Sequence, residues 1–199
     1  MFDDKSTERE INIYKQYQDI IAPFIAELEV RDTEYPIEIF NEVRSIFTHL
    51  SRYKIQKQAK DLISAESHVK RAILDCFKYM CISMAEEIND FRNSYKKVDL
   101  KLADNGKFLP ELDRLEHIAK KSYKTAKVSE IKKEISDDEL YVLFETAYNN
   151  YKTLLDFLES SEETILFASS HSKNSNMVNI ISILVTTISI LIAVVSILL

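Results

Sequence analysis

Residues 58–98 read QAKDLISAESHVKRAILDCFKYMCISMAEEINDFRNSYKKV, a run with neither glycine nor proline. Ile63, Ile73, Phe77, Met80 and Met84 recur in it at spacings that line one side of a 3.6-residue helix. The spacing predicts one long helix over 58–98. The same economy of turn residues extends to the whole chain. Its 199 residues include one glycine, Gly106, and three prolines, Pro23, Pro36 and Pro110. An all-β fold needs many turns, and turns need Gly and Pro. The fold class is therefore all-α.

Working outward, residues 36–57 form the preceding helix, with Ile39, Val43, Ile46, Leu50 and Tyr53 in a narrow heptad-like stripe. Before it, residues 7–30 carry Ile11, Tyr14, Tyr17, Ile21, Phe24, Ile25 and Leu28 at helical spacing, with Pro23 inside the run as the expected kink. Asp32 and Thr33 supply stop and N-cap chemistry, and Pro36 suits a first turn. On the other side, Asp104-Asn105-Gly106 is the clearest turn, and Pro110 opens a helix carrying a basic stretch. Ser136-Asp137-Asp138-Glu139 reads as a capping box. It starts a helix through Leu140, Leu143, Phe144, Ala147, Tyr151, Leu154, Leu155 and Phe157. The expected architecture is an antiparallel bundle of about five helices.

The end of the chain differs in kind. Residues 177–199, MVNIISILVTTISILIAVVSILL, hold no charge and no proline. A helix of that length spans roughly 34 Å, enough for a hydrocarbon core of about 30 Å. The expected domain plan is a helical domain over 1–168, a polar linker over 169–176 and a C-terminal transmembrane anchor over 177–199. The acidic, polar N-terminus is not a signal peptide, so the expectation is a single-pass membrane protein with its N-terminal domain in the cytoplasm. Within the tail, Ser182, Thr186 and Ser189 make a weakly polar face suited to self-association.

The formal net charge of −6 argues against a general nucleic-acid trap. Charge is uneven, however. Arg114, Lys120, Lys121, Lys124, Lys127, Lys132 and Lys133 cluster with only Glu116 and Glu130 between them. Lys120, Lys121, Lys124 and Lys127 are candidates for contact with RNA or anionic lipid; a solvated helix face is the plainer account. Cys76 and Cys81 are too few for a zinc site and poorly spaced for a disulfide, and read as reduced apolar residues. No metal-ligand cluster and no Gly-rich phosphate loop occurs, so no metal and no cofactor is expected.

Two polar groups interrupt strongly apolar helices. Glu42, Ser45, His49 and Arg52 fall on one stripe, and His68, Arg71 and Asp75 on another. The two helices are consecutive and antiparallel, so the stripes are expected to face each other. Histidine moves protons near neutral pH, and arginine stabilises an anionic transition state. Those are the tools for cleaving a phosphodiester without metal, using the ribose 2′-hydroxyl as nucleophile. The same set also reads as a satisfied polar network that fixes helix register.

Arg44-x4-His49, inside EVRSIFTHLSR and followed downstream by HVKRAILD, resembles the Arg-x(4 to 6)-His signature of the HEPN superfamily, all-α domains of toxin, CRISPR and phage-defence ribonucleases. The resemblance implies that Arg44 and His49 are the active-site pair. It implies that Glu42, Arg52, His68, Arg71 and Asp75 orient them or bind the backbone. It further implies a homodimer with facing motifs, metal-independent endoribonuclease activity on RNA, and a CRISPR or other defence-system partner. Beside this stand a non-catalytic helical oligomer whose tails associate to perturb the membrane, and a tail-anchored docking protein. The docking protein is disfavoured because the heptads break at Gly106.

Overall fold

The computed structural model describes residues 4–31 and 36–172, and every secondary element among them is helical. The elements are α1 (Asp4–Gln16), a π turn (Tyr17–Ile21), α2 (Ala22–Arg31), α3 (Ile37–Gln56), α4 (Ala59–Ser94), a 3-10 segment (Leu100–Gly106), α5 (Phe108–Lys132) and α6 (Asp137–Ser160). A last helix, α7, covers residues 162–172. The all-α expectation holds for the described residues.

The expected set of about five helices plus one transmembrane helix is corrected. No helix among the described residues is long and apolar enough to cross a membrane. The physical reason is plain in α4: with 36 residues it is the longest of these helices, yet charged side chains interrupt its apolar face along its length. Residues 177–199, on which the anchor was read, lie outside the described residues, as do Asp32 and Thr33. The elements are also more numerous than expected, because the first helix is divided at the π turn and the last at Ser161.

Pro23 explains the first division. It has no N–H to give to the carbonyl of Asp19, and its ring crowds that carbonyl. The chain answers with a π turn just before it, in which the Ala22 N–H bonds to the Tyr17 carbonyl oxygen five residues back. The wider turn inserts one residue into the apolar register. Ile21 and Leu28 are buried as expected, but upstream Ile13 takes the core position while Ile11 and Tyr14 stay exposed.

α4 runs through the middle of the bundle. α3 packs along it, α6 packs on α4 and on α5, and the α1–π–α2 path also lies against α4. The core face of α4 is Leu62, Ala65, Val69, Ala72, Ile73, Cys76, Phe77, Met80 and Met84. Ile63 is exposed and its neighbour Leu62 fills the core instead. Phe24, Phe77 and Tyr148 make an edge-on aromatic cluster joining α2, α4 and α6. Asp104, Asn105 and Gly106 all take positive φ, so the predicted turn is a left-handed corner. The capping box is formed in both directions between Ser136 and Glu139. Residues 169–172, read as the start of the polar linker, are helical, and Ser172 is buried, accepting from the Asp99 N–H at 3.4 Å; residues 173–176 lie outside the described residues.

Candidate functional site

The α3–α4 hairpin is closed by two residues. Lys57 takes the left-handed conformation and returns its N–H to the Tyr53 carbonyl at 2.8 Å, and Gln58 is extended before α4 begins. So short a link forces the two helices to lie antiparallel and in contact. Their register then decides which polar residues meet.

Two histidine–carboxylate pairs result. His68 Nδ1 lies 2.6 Å from Glu42 Oε2, and His49 Nδ1 lies 3.3 Å from Asp61 Oδ1. Within each helix the two members are seven residues apart, so the pairs repeat at heptad spacing and cross in opposite senses. The two imidazoles stack with centroids 5.3 Å apart and planes inclined by 23°. The side chains of His49 and His68 keep 20% and 19% of their surface in solvent, whereas Asp61 keeps 7%. Asp61 Oδ2 is the one buried side-chain nitrogen or oxygen without a partner among the described residues.

Asp61 was not legible as a site residue. It stands in the first turn of α4, where an acidic side chain is the ordinary complement to the helix dipole. The signal that could have found it is the seven-residue step from Asp61 to His68, which matches the step from Glu42 to His49.

The other expected residues are placed as follows. α3 is regular from Ile37 to Gln56, so Arg44 and His49, five positions apart at 100° each, point about 140° away from one another. Within one chain they do not converge. Arg44 lies on the outer side of α3 among the exposed Ile37, Phe40, Phe47 and Ile55. Arg52 is exposed on the His49 flank. Arg71, exposed one turn beyond His68, bonds to the Ser67 carbonyl and hydroxyl. Asp75 does not join the histidines. It pairs instead with Lys78 at 3.1 Å, which continues to Glu130 on α5 at 2.5 Å. Burial pushes the Asp75 carboxyl up, and Lys78 offsets that only in part.

The basic stretch is largely neutralised. Lys120 pairs with Glu116, Lys127 with Glu130, and Arg114 with Glu111. Lys121 and Lys124 are exposed on α5. Glu116 also binds Arg92 of α4, so it ties the two helices together. Burial alone would raise the Glu116 carboxyl, but Lys120 and Arg92 outweigh it and hold it below the ordinary range.

Among the described residues no group of three or more His, Cys, Asp or Glu is arranged to hold a metal ion. Compared with models of protein families, with curated proteins and with solved structures, the chain matches none. The geometry of the α3–α4 face therefore carries the functional argument alone. Chemically, that face offers two partly exposed imidazoles, each with Nδ1 on a carboxylate, beside exposed guanidinium groups.

Proposed function

We propose that this chain is a HEPN-like ribonuclease of bacterial defence that cleaves RNA without a metal ion and acts as a homodimer. The observation that supports this best is His49: its Nδ1 lies on Asp61, and its side chain is partly exposed. A carboxylate on one ring nitrogen fixes the tautomer and leaves the other free to move a proton. Arg52 and Arg71 supply charge for the phosphate beside it. Arg44, turned away from His49 in its own chain, serves the site of a second copy. Lys121 and Lys124 lengthen the positive surface for the RNA backbone, and Lys120 and Lys127 join it only by leaving their glutamate partners.

The test is incubation of the full chain with end-labelled single-stranded RNA in excess chelator, beside His49→Asn. Asparagine keeps a donor for Asp61 and removes the titrating nitrogen. Cleavage by the wild type and a loss of roughly a hundredfold or more in the variant is expected. No cleavage by either protein would sink the reading.

One observation favours a second reading, a non-catalytic helical oligomer. Ile37, Phe40, Phe47 and Ile55 are large apolar residues partly exposed on the side of α3 that carries Arg44, and apolar surface left in water favours an interaction face. In that case the histidine pairs only hold the hairpin in register, and Ile55→Glu disrupts assembly, as sedimentation would show.

A further inference from the structure

The resemblance at Arg44-x4-His49 accounts for one histidine. His68, on the facing helix, is not part of that motif, yet it has the same equipment: a carboxylate on Nδ1 and a side chain about as exposed as that of His49. Cleavage of RNA through the 2′-hydroxyl needs two proton movements on opposite sides of phosphorus, one off the attacking oxygen and one onto the leaving oxygen. A single histidine cannot make both in one step. The His68 imidazole stacks on that of His49 with centroids 5.3 Å apart, so a second histidine is at hand.

The two contacts are unequal. His68 Nδ1 lies 2.6 Å from Glu42 Oε2, a close contact that holds the ring firmly on the carboxylate. His49 Nδ1 lies 3.3 Å from Asp61 Oδ1, a longer contact. The charged groups that flank the pair on its own two helices are Glu42 and Arg52 on α3 and Asp61 and Arg71 on α4.

We propose that His68, held by Glu42, is the second proton-transfer group of this site and donates to the leaving group, while His49 accepts from the nucleophile. The assignment rests on the ribonuclease reading above. His49 Nε2 takes the 2′-hydroxyl proton as the O2′–P bond forms. The P–O5′ bond breaks, and O5′ takes the proton of His68 Nε2. The products are a 2′,3′-cyclic phosphate and a 5′-hydroxyl, and the proton lost by one imidazole balances the proton gained by the other. No metal or co-reactant enters.

The test compares an RNA of one scissile linkage with the same RNA bearing sulfur in place of the 5′ leaving oxygen. Thiolate departs without a proton, so it removes the need for the acid and leaves the need for the base. With His68→Asn, which keeps a donor to Glu42, the oxygen substrate should lose roughly a hundredfold or more. The sulfur substrate should return to within roughly tenfold of wild type, by the same reasoning about the proton donor. His49→Asn should lose both. Thermal melts of both variants report folding, and His68→Gln repeats the measurement if the asparagine variant melts early. If His68→Asn cleaves the oxygen substrate like wild type, or loses both substrates equally, the assignment is wrong while the ribonuclease reading stands. If wild type cleaves neither substrate, the ribonuclease reading fails and this assignment falls with it.

Discussion

Removing His49 should destabilise the fold more than removing its partner Asp61, and the difference follows from which group is buried. Asp61 has 7% of its side chain in solvent and already leaves Oδ2 without a partner. His49→Ala takes away the one bond its Oδ1 makes. A buried carboxylate deprived of its partner costs about 3–5 kcal/mol. Here the figure is smaller, because Asp61 lies at the N-terminal turn of α4, whose dipole favours an anion, and because a partly exposed histidine leaves a gap that water can enter. About 2–3 kcal/mol is the expected cost. Asp61→Ala instead removes the buried charge together with its unpaired oxygen. It leaves His49 Nδ1 to water, for about 1 kcal/mol. The double variant should cost little more than Asp61→Ala alone, giving a coupling of about 2 kcal/mol. Urea unfolding of the four proteins, with m-values compared to check that the unfolded state is unchanged, measures each term. The reasoning is refuted if His49→Ala costs less than Asp61→Ala, or if the two losses add to within about 0.5 kcal/mol.

Two further outcomes follow from groups outside that pair. Glu116 and Glu130 have carboxyls held below the ordinary range: burial pushes each up, but Lys120 with Arg92, and Lys127 with Lys78, outweigh it. The folded state thus binds their protons less readily than the unfolded state, so their stabilisation is present above the unfolded value and is lost as pH falls through the folded one. Melting temperature should drop on acidification through the carboxylate range, and Glu116→Gln should flatten that drop. Asp75, raised by burial, acts in the opposite sense. Burial pushes the thiols of Cys76 and Cys81 up to about 12, with Asp75 adding to the effect at Cys76. A thiol reagent at mildly alkaline pH should therefore label neither cysteine in the native protein and both after unfolding; fast native labelling would contradict their burial.

Much of the helical plan could be read from local chemistry. The Ser136–Glu139 box, the left-handed corner at Asp104–Gly106 and the heptad stripe of Ile39, Ile46, Leu50 and Tyr53 are all decided by residues within a turn or two of each other. Where a single residue shifted the phase, periodicity failed. The π turn ahead of Pro23 moved Ile13 into the core in place of Tyr14, and Leu62 took the place expected for Ile63. The candidate site was half legible. Glu42, His49 and His68 meet as expected, because two helices joined by a tight link must bring facing stripes together. Asp75 and Arg44 do not join them. Asp75 is taken up by Lys78, and Arg44 lies on the far side of its own helix.

The sequence by itself determined the helical class, the caps and corner that bound the helices, and the two polar stripes, since each depends on side chains near in the chain. Only the tertiary structure decided that Asp61 rather than Asp75 completes the histidine pair. Which carboxylate reaches which imidazole depends on the register of α3 against α4, and that register is set by the two-residue link at Lys57–Gln58 and by the packing of both helices at once.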